Sequence, residues 1–246
     1  MRGRAIRLSL PRRMVGDLLH FASKVPTVPV QRRMQLSTVA AARAACRERP
    51  RWTAIFAKAY ALTAREFPEL RRAFIKFPWS HLYEYPVSVA SIFFERDYRG
   101  EPGLFSIAVK DPATLPMTEL GQLIHHAATA PIEEVKHFRR ALLLGRLPGP
   151  IRRMFWRLGL NIGRQRANFF GTFGLSVYSA LNAESLHPLS PLTTLLNYGV
   201  IAADGGVDVR IIYDHRVLDG ATVARALAKL EQVLNGAVAE ELRSLE

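Results

Sequence analysis

The run VDVRIIYDHRVLDGATVARALAKL, residues 207–230, changes its hydrophobic period halfway along. Up to Tyr213 the apolar positions alternate (Val207, Val209, Ile211, Tyr213), the period of a strand with one face in a core. From residue 221 to 234 they recur at the three-and-four spacing of an amphipathic helix. His215, Asp219 and Gly220 occupy the junction. His215 continues the strand parity, so it is expected to be partly buried, and a buried imidazole stays neutral and able to accept a proton. Asp219 is placed to cap the helix, and Gly220 permits a close backbone approach. The spacing fits two readings: a structural turn with a helix cap, or a catalytic base with its positioning groups.

Upstream the pattern is mixed. Residues 11–25 have apolar positions at helical spacing that end near Pro26, and residues 28–39 follow as a short strand. Alanine-rich helical patterns run over 37–46 and 52–66. Residues 80–115 read as two strands joined through a charged turn at 97–103, and 117–128 as a helix. Residues 167–181 and 193–215 read as strand-rich, with ADGG at 203–206 as a hairpin-type turn. Helices early, strands late and a closing helix predict a single α/β domain over residues 1–246, a mixed β-sheet flanked by helices.

The 246 residues are 49% hydrophobic, enough for a sizeable core. The net charge of +13 favours an anionic partner: a phosphorylated cofactor, an acidic carrier protein, nucleic acid or an anionic membrane. A single cysteine, Cys46, excludes an internal disulfide framework and fits a small core residue in a reducing compartment. The N-terminus does not read as a secretory signal and no stretch has the length of a spanning helix, so a cytoplasmic protein, with membrane association left open, is expected.

The segment DHRVLDGATVARALAKLEQVL, residues 214–234, resembles the catalytic domain of dihydrolipoamide acyltransferases, the core subunits of 2-oxoacid dehydrogenase complexes, and more distantly chloramphenicol acetyltransferase. The similarity extends to GTFGLSVYSALNAESLHPLSPLTTLLNYGV (171–200), RWTAIFAKAYALTAREFPELRRAF (51–74) and PRRMVGDLL (11–19). The His-x-x-x-Asp-Gly motif is its most specific part. The resemblance implies a chloramphenicol acetyltransferase-like fold and acyl transfer from a thioester. His215 would be the general base, and Ser176 the hydroxyl that stabilises the tetrahedral oxyanion. Asp219 would organise the site through Arg12 or Arg13 of the opening helix. Ser176 equally suits a strand hydroxyl bonded to backbone, and Arg12 and Arg13 a solvated helix face. The resemblance further implies a homotrimer, or a higher assembly of trimers, with His215 reaching Ser176 across the subunit interface.

Two departures from that family matter. The 246 residues include no lipoyl or subunit-binding domain, so the acyl group is expected from coenzyme A or a phosphopantetheine thioester, the latter on an acyl carrier protein. Residues 131–170 form a basic amphipathic insertion, with arginines set among Phe, Trp, Leu and Ile. Its Arg152, Arg153, Arg157, Arg164 and Arg166 are expected either to dock an acyl carrier protein or an anionic membrane, or to face water while the apolar side packs on the protein.

Other chemistry finds little support. His125, His126, Glu133, Glu134 and His137 include no H-E-x-x-H pattern and are interrupted by Pro131, so no metal is expected. No phosphate-binding glycine loop and no nucleic-acid motif occurs. The expected function is therefore an acyltransferase moving an acyl group from an acyl-CoA or acyl carrier protein to a hydroxyl, amine or thiol. The alternatives are a dihydrolipoamide acyltransferase core served by a lipoyl carrier in trans, and a non-catalytic membrane- or protein-binding member of the fold.

Overall fold

The computed structural model describes residues 3–176 and 185–245. In chain order its elements are α1 (Leu10–Ala22), β1 (Thr27–Gln35), α2 (Ser37–Ala45), α3 (Trp52–Glu66), β2 (Arg72–Ile75), β3 (His81–Glu84), β4 (Val89–Asp97) and β5 (Pro102–Lys110). There follow α4 (Met117–Thr129), α5 (Lys136–Arg146), α6 (Gly149–Asn161), α7 (Gly163–Phe170), β6 (Phe173–Leu175), β7 (Thr194–Tyr198), β8 (Gly206–Asp214), α8 (Gly220–Val233) and α9 (Ala239–Arg243). Six strands form one sheet in the order β1-β8-β7-β6-β4-β5, while β2 and β3 pair as a separate antiparallel hairpin. The β4–β6 and β6–β7 pairings are parallel and the others antiparallel, so the sheet is mixed.

The odd positions of β8, Val207, Val209, Ile211 and Tyr213, are buried in the main core, as the alternation requires. The helix across that face is α3, whose Ala54, Ala57, Ala61 and Ala64 are buried and let its backbone approach α8 and β4 closely. Lys58 lies in the same buried stretch; its ammonium donates to the Leu115 carbonyl at 2.6 Å and pairs with Glu241 at 2.6 Å. The β7–β8 connection is tight: Gly205 takes φ +86° and donates to the Ala202 carbonyl at 2.9 Å, a conformation that favours glycine. Cys46 is buried in the core.

Three local expectations change. Residues 167–170 are helical rather than extended, because Arg166 and Ala167 are buried together on one side of α7. The 177–181 part of that expected strand lies outside the described residues. The β2–β3 hairpin was not foreseen; Pro86 and the turn before Val89 separate it from β4. Residues 131–170 hold three helices, α5 to α7, interrupted where Pro148 precedes Gly149 and where Ile162 precedes Gly163. They form a layer with α1: α5 packs on α1 and β5, and α6 on α1 and α7. Among the described residues no helix is long and apolar enough to cross a membrane.

Candidate active site

The strand β8 ends at Asp214, whose N–H donates to the Thr193 carbonyl at 2.8 Å. The chain then turns: the Val217 and Leu218 N–H groups both donate to the Asp214 carbonyl, at 3.0 and 3.2 Å. The His215 N–H donates to the Pro26 carbonyl at 3.0 Å, which ties the turn to the start of β1. That bond continues the β1–β8 register, in which Thr27 faces Asp214, and keeps the imidazole beside the Tyr213 ring as the parity predicts; at the open end of the strand its side chain is 51% exposed. In a single chain the imidazole therefore faces water.

Its neighbours are fixed. The buried Asp214 carboxylate accepts from Arg216 Nε at 2.8 Å and Nη2 at 2.7 Å, and from the Arg216 backbone N–H at 3.0 Å. The Arg216 guanidinium lies over the Phe74 ring, 4.5 Å from its centre. The residues before and after His215 are thus clasped together, and the Tyr213 ring stands 5.5 Å from the imidazole. The DHR tripeptide carries this clasp, and the burial of Asp214 comes from the β7 side of the sheet, where the Thr193 carbonyl accepts its N–H.

Asp219 occupies the N-cap position of α8, yet its side chain makes no capping bond. Its Oδ1 is 4.0 Å from His215 Nδ1, an electrostatic rather than a hydrogen-bonding distance, and the carboxylate is 86% exposed. Gly220 sits against Tyr213: a Cβ there would lie 3.3 Å from the phenol oxygen. Burial, and after it the Asp219 carboxylate, push the Tyr213 phenol above its ordinary pKa.

Ser176 follows β6 and is buried. Its N–H donates to the Leu196 carbonyl at 3.2 Å, and its carbonyl accepts from Asn197 Nδ2 at 2.7 Å. Leu175 pairs with Leu196 and Asn197 with Arg210, so Ser176, Asn197 and Arg210 form a row across the sheet. That row is polar and buried, and Arg210 Nε donates to Gln31 at 2.6 Å. From Arg210 to Asp214 is four residues, about 13 Å at strand rise, and two strand spacings add about 10 Å across the sheet. Ser176 and His215 are therefore not brought together within one chain.

Nor does the structure join Arg12 or Arg13 to Asp219. Arg12 Nε lies 3.7 Å from Glu101, and Arg13 Nε donates to the Ser9 carbonyl at 3.4 Å. The start of α1 packs beside the β4–β5 turn, at the opposite side of the sheet from β8. Two of the five arginines expected at a docking surface are structural. Arg152 is buried and its Nε donates to Asp17 of α1 at 2.5 Å. Arg166 is buried and donates to the carbonyls of Phe74 at 3.1 Å and Pro191 at 2.8 Å. Arg153, Arg157 and Arg164 are exposed. The role of Asp17 was missed; an acidic residue in an otherwise basic helix was the available signal. Among the described residues no three His, Cys, Asp or Glu side chains come together as a metal site.

No protein-family model and no curated protein sequence matches the chain. Solved structures do. A probable dihydrolipoamide acetyltransferase from Listeria monocytogenes superposes with a TM-score of 0.68 at 15% identity, over 94% of each chain. A dihydrolipoamide acetyltransferase from Azotobacter vinelandii gives 0.67 at 17% identity, over 96% of this chain and 93% of its own. That protein was studied for the catalytic roles of a serine, a histidine and an asparagine four residues after the histidine. Chloramphenicol acetyltransferase gives 0.52 at 14% identity, over 93% and 96%. Along more than nine-tenths of its length, the chain has the fold of dihydrolipoamide acetyltransferase catalytic cores and of chloramphenicol acetyltransferase.

Proposed function

We propose that the protein is an acyltransferase that moves an acyl group from a thioester of coenzyme A or of a phosphopantetheine carrier to a hydroxyl, amine or thiol. The observation that carries the reading is the position of His215: it closes β8, with Asp219 four residues on at the start of α8, in a fold whose Azotobacter relative was studied for a catalytic histidine with an amide residue at the same spacing. Ser176, at the end of β6, supplies the third group.

In the proposed reaction a neutral His215 nitrogen takes the proton of the acceptor as the acceptor's heteroatom adds to the thioester carbonyl carbon. The carbonyl oxygen becomes an oxyanion and receives the Ser176 hydroxyl as a donor. Collapse breaks the carbon–sulfur bond, and the leaving thiolate takes the proton held on the imidazolium. Asp219, with Oδ1 4.0 Å from Nδ1, stands beside the imidazole through these steps.

His215 and Asp219 face water in one chain, and Ser176 lies far from both along the sheet. This supports a site made between two copies, in a trimer or an assembly of trimers, where a neighbour's Ser176 meets His215 and excludes solvent. The direct test is thioester consumption and thiol release with a panel of acyl-CoA and acyl-carrier donors, comparing the wild-type protein with His215→Ala. The reading predicts turnover with at least one donor and a loss of at least about a hundredfold in the variant. Equal rates for the two proteins would remove His215 from the chemistry. Turnover with dihydrolipoamide on a separate lipoyl carrier would instead favour a 2-oxoacid dehydrogenase role.

A further inference from the structure

A cleft of about 1050 Å³, at the upper end of the range for small-molecule sites, opens beside the turn that follows His215, although the imidazole itself does not line it. Arg216, the next residue in the chain, lines it, and so does Val25, whose neighbour Pro26 accepts the His215 N–H. The cleft runs between the end of α1, the β2–β3 hairpin and α6, so much of its wall comes from residues 131–170.

Its lining combines two chemistries. Phe21, Phe74, Met154 and Leu158 form apolar wall, and Met154 and Leu158 are about half exposed, an arrangement that costs free energy unless something covers it. Lys24, Lys76, Arg153 and Arg157 stand around the same space, and no carboxylate lines it among the described residues. On α6 the two chemistries run side by side: Met154 and Leu158 are four residues apart, as are Arg153 and Arg157, giving an apolar row beside a cationic row. Arg153 is the least free of these cations, lying 3.9 Å from the Asp17 carboxylate that Arg152 already holds. Lys24 donates to His20 Nε2 at 2.8 Å, and partial burial followed by the charges of Lys24 and Arg153 lowers the His20 pKa, as expected where positive charge gathers.

We propose that this cleft binds a long acyl chain carried on a phosphate-bearing head group, the chain against the α6 apolar row and the phosphate among Lys24, Lys76, Arg153 and Arg157. The inference deepens the acyltransferase reading by naming the substrate class. Two sources share this chemistry: a long-chain acyl-phosphopantetheine compound such as an acyl-CoA, and a lysophospholipid.

The test is calorimetric titration of the 246-residue His215→Ala protein, so that binding is read without turnover. The probes are dodecyl phosphate below its micellar concentration, monolaurin as the uncharged counterpart and inorganic phosphate. Dodecyl phosphate is expected to bind saturably, about tenfold or more tighter than monolaurin, with inorganic phosphate weaker than both. The double variant Arg153→Gln/Arg157→Gln, both at exposed positions, brings dodecyl phosphate to the monolaurin level. Lys24→Gln/Lys76→Gln does the same from the other side of the cleft, and Met154→Glu weakens both amphiphiles. Lauroyl-CoA and 1-lauroyl-lysophosphatidate, titrated in turn, distinguish the two sources by which binds tighter. The proposal is overturned if dodecyl phosphate binds no tighter than monolaurin, or if neither double variant changes its affinity. A protein that transfers short acyl groups but fails this titration loses the cleft assignment and keeps the reaction. Dodecyl phosphate binding that passes the titration in a protein with no transferase activity keeps the cleft and loses the reaction.

Discussion

Ser176 and His215 leave the same sheet at different levels, four residues of β8 plus the turn apart along the strands and two strands apart across them. A hydroxyl that donates to an oxyanion and an imidazole that holds the attacking proton both reach one carbonyl group, within hydrogen-bond distance of its oxygen and of the nucleophile. In this chain the backbone register alone keeps them too far apart for that. If both residues act, they come from different copies of the chain, and the exposure of His215 and Asp219 in one copy follows.

The serine has a smaller predicted effect than the base. Ser176→Ala is expected to lower kcat by about tenfold to a thousandfold while leaving KM close to the wild-type value, because the hydroxyl binds charge that exists only in the transition state. Steady-state kinetics with the best thioester donor measure it, and a change confined to KM contradicts the role.

Breaking the Asp17–Arg152 pair separates structural from surface arginines. Arg152→Ala leaves the buried Asp17 carboxylate, among the described residues, with only the 3.9 Å contact from Arg153, and is expected to cost about 3–5 kcal/mol. Arg157→Ala, at an exposed position five residues along the same helix, is expected within about 0.5 kcal/mol of wild type. Urea unfolding of the two variants compares them directly; equal stability would show that the ion pair does not hold α6 to α1.

At Gly220 the expected effect is steric. A methyl group 3.3 Å from the Tyr213 hydroxyl makes Gly220→Ala destabilising by about 1 kcal/mol, and Tyr213→Phe in the same chain recovers part of that loss. A double-mutant cycle by thermal or urea unfolding reads the coupling. Additive losses would mean that the glycine answers to something other than this contact.

Alkaline pH exposes the buried phenols. Burial raises the Tyr85 pKa to about 12, while its hydroxyl donates to the Gly163 carbonyl at 2.9 Å, and burial also raises Tyr60 and Tyr198. In the unfolded chain these phenols ionise near pH 10, so between about pH 10 and 12 the folded state binds more protons than the unfolded one and stability falls as pH rises. Unfolding midpoints from pH 8 to 11.5 are expected to decline above pH 10, and Tyr85→Phe to flatten part of the decline. A midpoint that stays level to pH 11.5 contradicts the burial of these groups.

The alternation of Val207, Val209, Ile211 and Tyr213 and the helix after Gly220 were legible because both periods persist long enough to be read, and the same holds for the alanine face of α3. The β2–β3 hairpin was not, since strands of four residues give too little alternation to separate from the strand that follows. At the site, His215, Asp219, Gly220 and Ser176 carried a recognisable order in the chain. The parity placed His215 beside Tyr213, but its half exposure depends on where the strand ends, and the Pro26 bond that extends the ladder to it comes from a segment nearly 190 residues away. Arg12 and Arg152 were misplaced for one reason: an arginine's partner is chosen by tertiary packing, Glu101 at the far edge of the sheet in one case and Asp17 on a neighbouring helix in the other.

Subunit mixing tests the between-copies site most directly. His215→Ala and Ser176→Ala chains, each at least about tenfold less active alone, are unfolded together, refolded at equal amounts and assayed for thioester cleavage with the best donor. If each site takes His215 from one copy and Ser176 from its neighbour, random assembly gives roughly a quarter of the sites both intact residues, and activity rises to roughly a quarter of wild type. Activity no greater than the mean of the two variants would place both residues' action within one chain, or outside the reaction, and contradict the account.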